Sequence, residues 1–501
     1  MHRYLPPTDP NPITYRMFED IRSLLRHGGI YLIGNVLNRV GAFLLLPLYT
    51  QHLAVAEYGV LEILYSTVAV ISVALGAGLS HTTLRFYFDY VEQSDRHAVV
   101  TTNFVTIMTF GIAGALVVHV LREPLSMLLF NSVQYGKALD ICLAIMVMDM
   151  SVEVGFAYLR AREKSLLYVW LSFARLLIQL CLSVYLVAGQ HLGIIGVLTA
   201  NLASITLAWI AVTGYIVWQC GLTFRTSMVT AMLRYSLPMA GGAVLGVVSL
   251  NADRFLLKEL ISLEAVGLYA LAMKFAMLLT FLVSEPFYRA YGPFRFSILH
   301  QANAAQLQAV VLHYIVAGAS IVGLGVALFM PEVLFLMTPS AYQSAYQYTP
   351  ILLAATVVAT ASYCFETGIL VKKQTKFLLY FACANLAVKV ILNLALIPIL
   401  GVFGAALAYL FTGLMQTYLI NRTSQRLFPV SYPYGAMWRI ALIVGVTYVA
   451  SLGIDYRHWE QSIPLKLGLV AACLGALYLL DKEVKHAVSL ALSRIRPGRS
   501  S

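Results

Sequence analysis

The sequence predicts an all-α polytopic membrane protein of about fourteen transmembrane helices. They are expected as two six-helix lobes, related by a pseudo-two-fold along the membrane normal, plus two extra C-terminal helices. Three observations carry that expectation. Apolar residues make up 60% of the 501-residue chain and charged residues only 11%, with a mean hydropathy of +0.78. Soluble domains carry roughly a quarter charged residues. Apolar runs long enough to cross a bilayer as helices recur from end to end. The second half of the chain also echoes the first.

The spans are read, in order, at 28–50, 56–80, 99–121, 138–160, 165–187, 193–218, 235–257, 264–288, 309–330, 348–371, 377–399, 401–420, 434–454 and 464–481. Apolar character is nearly continuous through spans 11 and 12, and only Pro398 and Gly401 divide them. The expected organisation is a cytoplasmic tail at 1–27, a first lobe at 28–220 and a second at 221–425. Spans 13 and 14 follow at 426–481, then a basic cytoplasmic tail at 482–501. The N-terminal stretch MHRYLPPTDPNP is polar and Pro-rich, and the residues after it suit a short interfacial helix. It does not read as a cleavable signal peptide, so the first apolar span is expected to act as the insertion signal.

The formal charge of +11 is not a nucleic-acid footprint, because the basic residues collect in short loops on one side. With the N-terminus placed in the cytoplasm, 24 of the 34 Lys and Arg fall on the cytoplasmic side and 5 on the other, the rest lying inside spans. That is the positive-inside bias, and it puts both termini in the cytoplasm. The six cysteines show no CxxC and read as small apolar side chains. The histidines have no ligand spacing, and no HExxH, phosphate-binding loop or GxSxG is present, so catalysis has no evident seat and no metal is expected.

The repeat emerges from several weak matches in one order. Leu-Ala-Val-Ala-Glu-Tyr-Gly (53–59) resembles Ile-Ser-Leu-Glu-Ala-Val-Gly (261–267), with Gly59 and Gly267 separated by 208. Gly-Ile-Ile-Gly (193–196) matches Gly-Val-Phe-Gly (401–404) at the same offset. EVGFAYLRAREKSLLY (153–168) matches ETGILVKKQTKFLLY (366–380) at 212 to 213. Offsets that drift so little mark a duplicated unit. Each half holds six spans, and an even number preserves orientation, as in transporters whose lobes rock about a site between them.

Four stretches are similar to the polysaccharide (Wzx-type) flippases of the multidrug/oligosaccharidyl-lipid/polysaccharide exporter superfamily. They are GGIYLIGNVLNRVGAFLLLPLYTQHLAVAEYGVLEILYS (28–66), GAGLSHTTLRFYFDY (76–90), LNADRFLLKELISLEAVGLYALAMKF (250–275) and LNLALIPILGVFGAALAYLFTG (392–413). The resemblance runs from about residue 28 to 481, without one short diagnostic signature. It implies translocation of an undecaprenyl-diphosphate-linked oligosaccharide, an O-antigen, capsule or exopolysaccharide repeat unit. It also implies that spans 1, 2, 7 and 8 line the substrate cleft. The expected partners are the lipid-linked glycan, membrane lipid, and a polysaccharide polymerase with its assembly proteins; nucleic acid is not among them. No cofactor is expected, and a proton or sodium gradient is the candidate driving force. Three alternatives stay open: a peptidoglycan-precursor (lipid II) flippase, a cation-coupled drug exporter of the same superfamily, and a membrane glycosyltransferase or polymerase. The last would need sizeable outer loops, and the longest here are about 17 residues.

Ionisable groups inside spans are costly and face a cavity or one another. Arg39, Arg175, Lys274 and Lys389 lie near mid-span and Arg254 toward an outer end; the acids are Glu62, Asp149, Glu153, Asp253 and Glu366. Arginine can bind phosphate oxygens bidentately. Arg39 and Lys274, with Arg254 nearer the exit and Arg85 at the cytoplasmic end of span 2, are therefore the candidate diphosphate ligands. The competing reading pairs them structurally with Glu62 and Asp253. Arg175 and Lys389 are expected to pair with Asp149, Glu153 or Glu366. Asp149 and Glu153, four apart on one helical face, could share a coupling proton or belong to that ion-pair network.

Overall fold

The computed structural model describes residues 41, 43–76, 78–481 and 485, and the described residues form helices with no strand. Without water in the hydrocarbon core, each backbone N–H and C=O must be satisfied within its own segment, and the α-helix does this. Thirteen described helices are long and apolar enough to cross a membrane. They correspond to spans 2–14 of the sequence reading. Span 1 falls mostly outside the described residues. The helices Lys376–Leu400 and Val402–Leu427 confirm the division at Gly401, whose φ of +60° favours glycine.

The chain divides into two compact units, one of residues 1–52 and 67–243, the other of 53–66 and 244–501. In the first, Gly136–Ala161 (span 4) packs between Gln93–Val120 (span 3) and Gly193–Cys220 (span 6), and Ser165–Ser183 (span 5) packs on span 6. In the second, Val402–Leu427 (span 12) packs against Lys376–Leu400 (span 11) and Thr349–Phe365 (span 10). Ala304–Met337 (span 9) carries span 10 on one side and Tyr434–Ser451 (span 13) on another. Trp459–Leu480 (span 14) packs on spans 13 and 9.

Lipid is as apolar as leucine, so helices associate through close packing and polar contacts. Both devices are visible. In the first unit the fully buried Asn103 donates to the Leu79 carbonyl at 2.9 Å and to Thr83 Oγ1 at 2.6 Å. In the second unit, Gly59 of Val55–Gly76 (span 2) meets Gly267 of Leu263–Leu279 (span 8). A Cβ on Gly59 would sit 1.9 Å from the Leu263 carbonyl oxygen, and one on Gly267 would sit 2.4 Å from that of Val55. The two glycines that match across the sequence repeat therefore form one reciprocal backbone crossing.

The repeated hinges also match locally. After span 4, Lys164 N–H bonds the Leu159 carbonyl and Arg162 N–H that of Tyr158. After span 10, Gln374 N–H bonds the Ile369 carbonyl and Lys372 N–H that of Gly368. Both turns place a non-glycine residue in the left-handed region, Glu163 at φ 54° and Lys373 at φ 55°. This is a helix-ending turn in which an extra N–H folds back over the last carbonyls. Gly155 and Gly368, the hinge glycines, let spans 6 and 12 approach: a Cβ would meet Val212 Cγ1 at 1.9 Å and the Ser424 carbonyl oxygen at 2.6 Å.

Candidate functional site

The second unit gathers five of the predicted intramembrane charges into two clusters. The Gly59/Gly267 crossing sets spans 2 and 8 close enough for the first. Glu62 lies two turns past the start of its helix and Lys274 about three turns along span 8. Glu62 Oε1 pairs with Lys274 Nζ at 2.8 Å, and Oε2 faces Arg254 Nε on span 7 (Thr226–Leu260) at 3.6 Å. Lys274 also donates to the Tyr58 hydroxyl, with Nζ 4.8 Å above that ring. Tyr58 is itself braced edge-on by Tyr342, whose hydroxyl donates to the Leu53 carbonyl at 3.0 Å. Glu62 and Arg254 are buried, whereas the Lys274 side chain is 34% exposed.

Arg254 is poorly satisfied for a buried guanidinium. Nη1 donates to Asn251 Oδ1 at 3.1 Å and to the Leu250 carbonyl at 3.4 Å, while Nε has no hydrogen-bond partner among the described residues. Among the described residues the cluster thus holds two cations against one carboxylate. Burial makes that surplus positive charge consequential, because unpaired charge in low dielectric is costly and attracts a counter-anion.

The second cluster is closed. Asp253, fully buried on span 7, accepts Asn393 Nδ2 on Oδ1 at 2.7 Å and the Tyr269 hydroxyl on Oδ2 at 2.9 Å. Lys389 Nζ completes it at 3.0 Å and also donates to the Ser249 carbonyl at 2.8 Å, 4.4 Å above the Tyr409 ring. Both carboxylate oxygens are occupied, and the ammonium has a carboxylate, a carbonyl and a ring face. Lys389, Ser249, Asn385, Thr412 and Gln416 are among the residues lining a cavity of about 230 Å³ beside this cluster.

The remaining predicted residues separate. Arg39 lies outside the described residues. Arg85 pairs with Asp89 at 3.0 Å on the surface of the first unit, with 61% of its side chain exposed. Arg175 pairs with Asp149 at 2.9 Å, as expected, and Glu153, one turn along, is exposed. The expected pairing of Lys389 with Asp149, Glu153 or Glu366 is corrected: its partner is Asp253, an acid on span 7. Glu366 sits at a break between the helices Thr349–Phe365 and Thr367–Val371 and has no ion pair among the described residues. No group of three His, Cys, Asp or Glu close enough to hold a metal occurs among the described residues.

Three buried groups escaped the sequence reading. Lys466, inside the span read at 464–481 and not named there as a buried charge, pairs with Glu332 at 2.6 Å. His313 of span 9 meets Asp481, just past span 14, at 3.0 Å with both side chains buried. Together these pairs tie span 14 to span 9 at both ends. Arg295, which lies beyond the span read at 264–288, is buried against the Tyr363 ring at 4.6 Å. The signal available for the first was Glu332 and Lys466 within a few residues of apolar spans. Which residues end up inside a helix depends on helix length, and span 9 extends to Met337.

Comparison with known proteins places this geometry. The chain resembles the solved structure of the lipid II flippase MurJ in an inward closed conformation: TM-score 0.71, 13% identity, covering 89% of this chain and 98% of that one. An inward-facing multidrug resistance MATE family transporter of the MOP superfamily aligns with TM-score 0.58 and 14% identity, over 79% and 95% of the two chains. A mutant of the Vibrio cholerae MATE transporter VcmN aligns with TM-score 0.55 and 17% identity, over 81% and 97%. At these identities the likeness establishes the fold. Among curated proteins, none matches the chain by sequence. The family described as "Polysaccharide biosynthesis protein" matches residues 24–300, more than half of the 501. The chain belongs to the polysaccharide biosynthesis protein family, and its fold is similar to those of the lipid II flippase MurJ and a MATE family transporter.

Proposed function

We propose that this protein flips a polyprenyl-diphosphate-linked oligosaccharide from the cytoplasmic to the outer leaflet of a bacterial inner membrane. The observation that carries this reading is the cation surplus at Lys274, Arg254 and Glu62. A diphosphate headgroup is a compact polyanion, and a partly buried ammonium beside an under-satisfied guanidinium suits it. A cationic drug would call for surplus carboxylate instead, which disfavours the exporter reading. The family membership favours a saccharide carrier over an enzyme.

The polyprenyl tail stays in lipid while the headgroup crosses by alternating access, and both termini lie in the cytoplasm. An ion gradient, of protons or sodium, supplies the driving force, and a polymerase on the outer face consumes the product. Glu366 is the acid best placed for coupling, because Asp253 and Asp149 are already engaged by Lys389 and Arg175. The lipid II flippase reading shares the diphosphate and differs in the sugar.

The test is deletion of the gene followed by identification of the lipid-linked glycan that accumulates on the inner leaflet. Accumulation of a polyprenyl-diphosphate saccharide, reversed by wild type and not by Lys274→Ala, is expected. Absence of any accumulating lipid-linked glycan would refute the proposal, and accumulation of peptidoglycan precursor would shift it to the lipid II reading.

A further inference from the structure

We propose that Glu62 is an internal counter-anion that stands in for the substrate's diphosphate, bridging Lys274 and Arg254 in the unloaded protein and giving way to phosphate oxygens on loading. This rests on the diphosphate reading above.

The three side chains come from three different helices, spans 2, 7 and 8, and among the described residues Glu62 is the acid that touches both cations. Its hold on them is uneven. The Lys274 contact is a full charge-assisted hydrogen bond at 2.8 Å. The Arg254 contact, at 3.6 Å, is too long for one and leaves Nε without a partner. A single carboxylate carries one charge and two oxygens, which is too little for two cations presenting eight N–H groups between them. A diphosphate carries more charge and more acceptor oxygens, so it can satisfy both cations together. The one-third-exposed Lys274 is the point of entry, since its ammonium is the open member of the three.

An empty site needs such a stand-in. Two buried cations with no counter-anion would be strongly unfavourable, whereas exchanging one anion for another keeps them compensated throughout. Glu62 is thereby a positioning residue: it keeps Lys274 and Arg254 in place when the site is unloaded and competes with the headgroup when it is loaded. That competition weakens binding and speeds release, which a transporter requires on the far side.

The experiment measures binding of a polyprenyl diphosphate probe to the purified full-length protein in detergent. Glu62→Gln keeps the side-chain shape and removes the competing charge. It is expected to bind the probe at least tenfold more tightly than wild type and to transport more slowly. Wild-type binding with Glu62→Gln binding no tighter would overturn the inference while leaving the proposed function intact. Probe binding by neither protein would overturn both. A second measurement uses wild type alone. A hydrophobic carbodiimide activates the Glu62 carboxylate, the Lys274 amine attacks it, and an isopeptide bond forms with release of the urea. Mass spectrometry should find this cross-link in the unloaded protein and at least fivefold less of it with the probe saturating. An unchanged yield with the probe bound would overturn the inference.

Discussion

Removing one member of the Asp253–Lys389 pair should unfold the second unit far more readily than removing both. The two charges are 3.0 Å apart, with Asp253 fully buried and Lys389 3% exposed. At an effective dielectric of about 20, their gross attraction is roughly 5–6 kcal/mol. Asp253→Asn leaves the ammonium with one carbonyl and the Tyr409 ring, and Lys389→Met leaves the carboxylate with two neutral donors. Each single change leaves a buried charge unpaired, at a cost of about 3–5 kcal/mol. The double change removes both charges while keeping shape, and it should lie within about 1.5 kcal/mol of wild type. Thermal and denaturant unfolding in detergent, followed by circular dichroism, measures this cycle. Transport by the double variant should approach wild type, because the two charges of the closed cluster already satisfy one another. Additive destabilisation would refute the electrostatic reasoning. A stable double variant without transport would show that Asp253 takes part in the transport cycle.

Other outcomes follow from the same geometry. Gly59→Ala pushes a Cβ into the Leu263 carbonyl and should destabilise the protein by about 1–3 kcal/mol, read by thermal unfolding, with Gly435→Ala, which meets open space, as the control. Lys373→Gly should stabilise by about 0.5–1 kcal/mol, since it relieves a left-handed lysine; unfolding under the same conditions checks this. Glu366→Gln should remove the dependence of transport on a proton gradient, measured in vesicles with and without an imposed pH difference, while the Asp253→Asn/Lys389→Met variant retains it.

Hydropathy and length located every described span, because a bilayer leaves the backbone only one economical answer for such apolar runs. The repeat was legible at Gly59/Gly267 and at the two hinges because backbone geometry, close approach and left-handed turns constrain residue type locally. What the sequence could not show was pairing. Lys389 looked equally near to several acids, and its partner proved to be Asp253, 136 positions away in sequence and on another helix. Glu62, Arg254 and Lys274 were each named as intramembrane charges, yet their assembly around one carboxylate depends on how spans 2, 7 and 8 pack. Arg295 was hidden for another reason: it lies beyond the span read at 264–288, and the helix there runs on to Ser297.

The central claim is that the cation surplus at Lys274 and Arg254 serves to move a diphosphate-linked saccharide. The most direct measurement is transbilayer movement of a fluorescent polyprenyl-diphosphate oligosaccharide in proteoliposomes, with a membrane-impermeant quencher reporting which leaflet holds the headgroup. The account predicts protein-dependent movement that Lys274→Ala slows at least tenfold, and none for a polyprenyl-linked sugar that lacks phosphate. Equal movement of the phosphate-free lipid, or no movement of either, would contradict it.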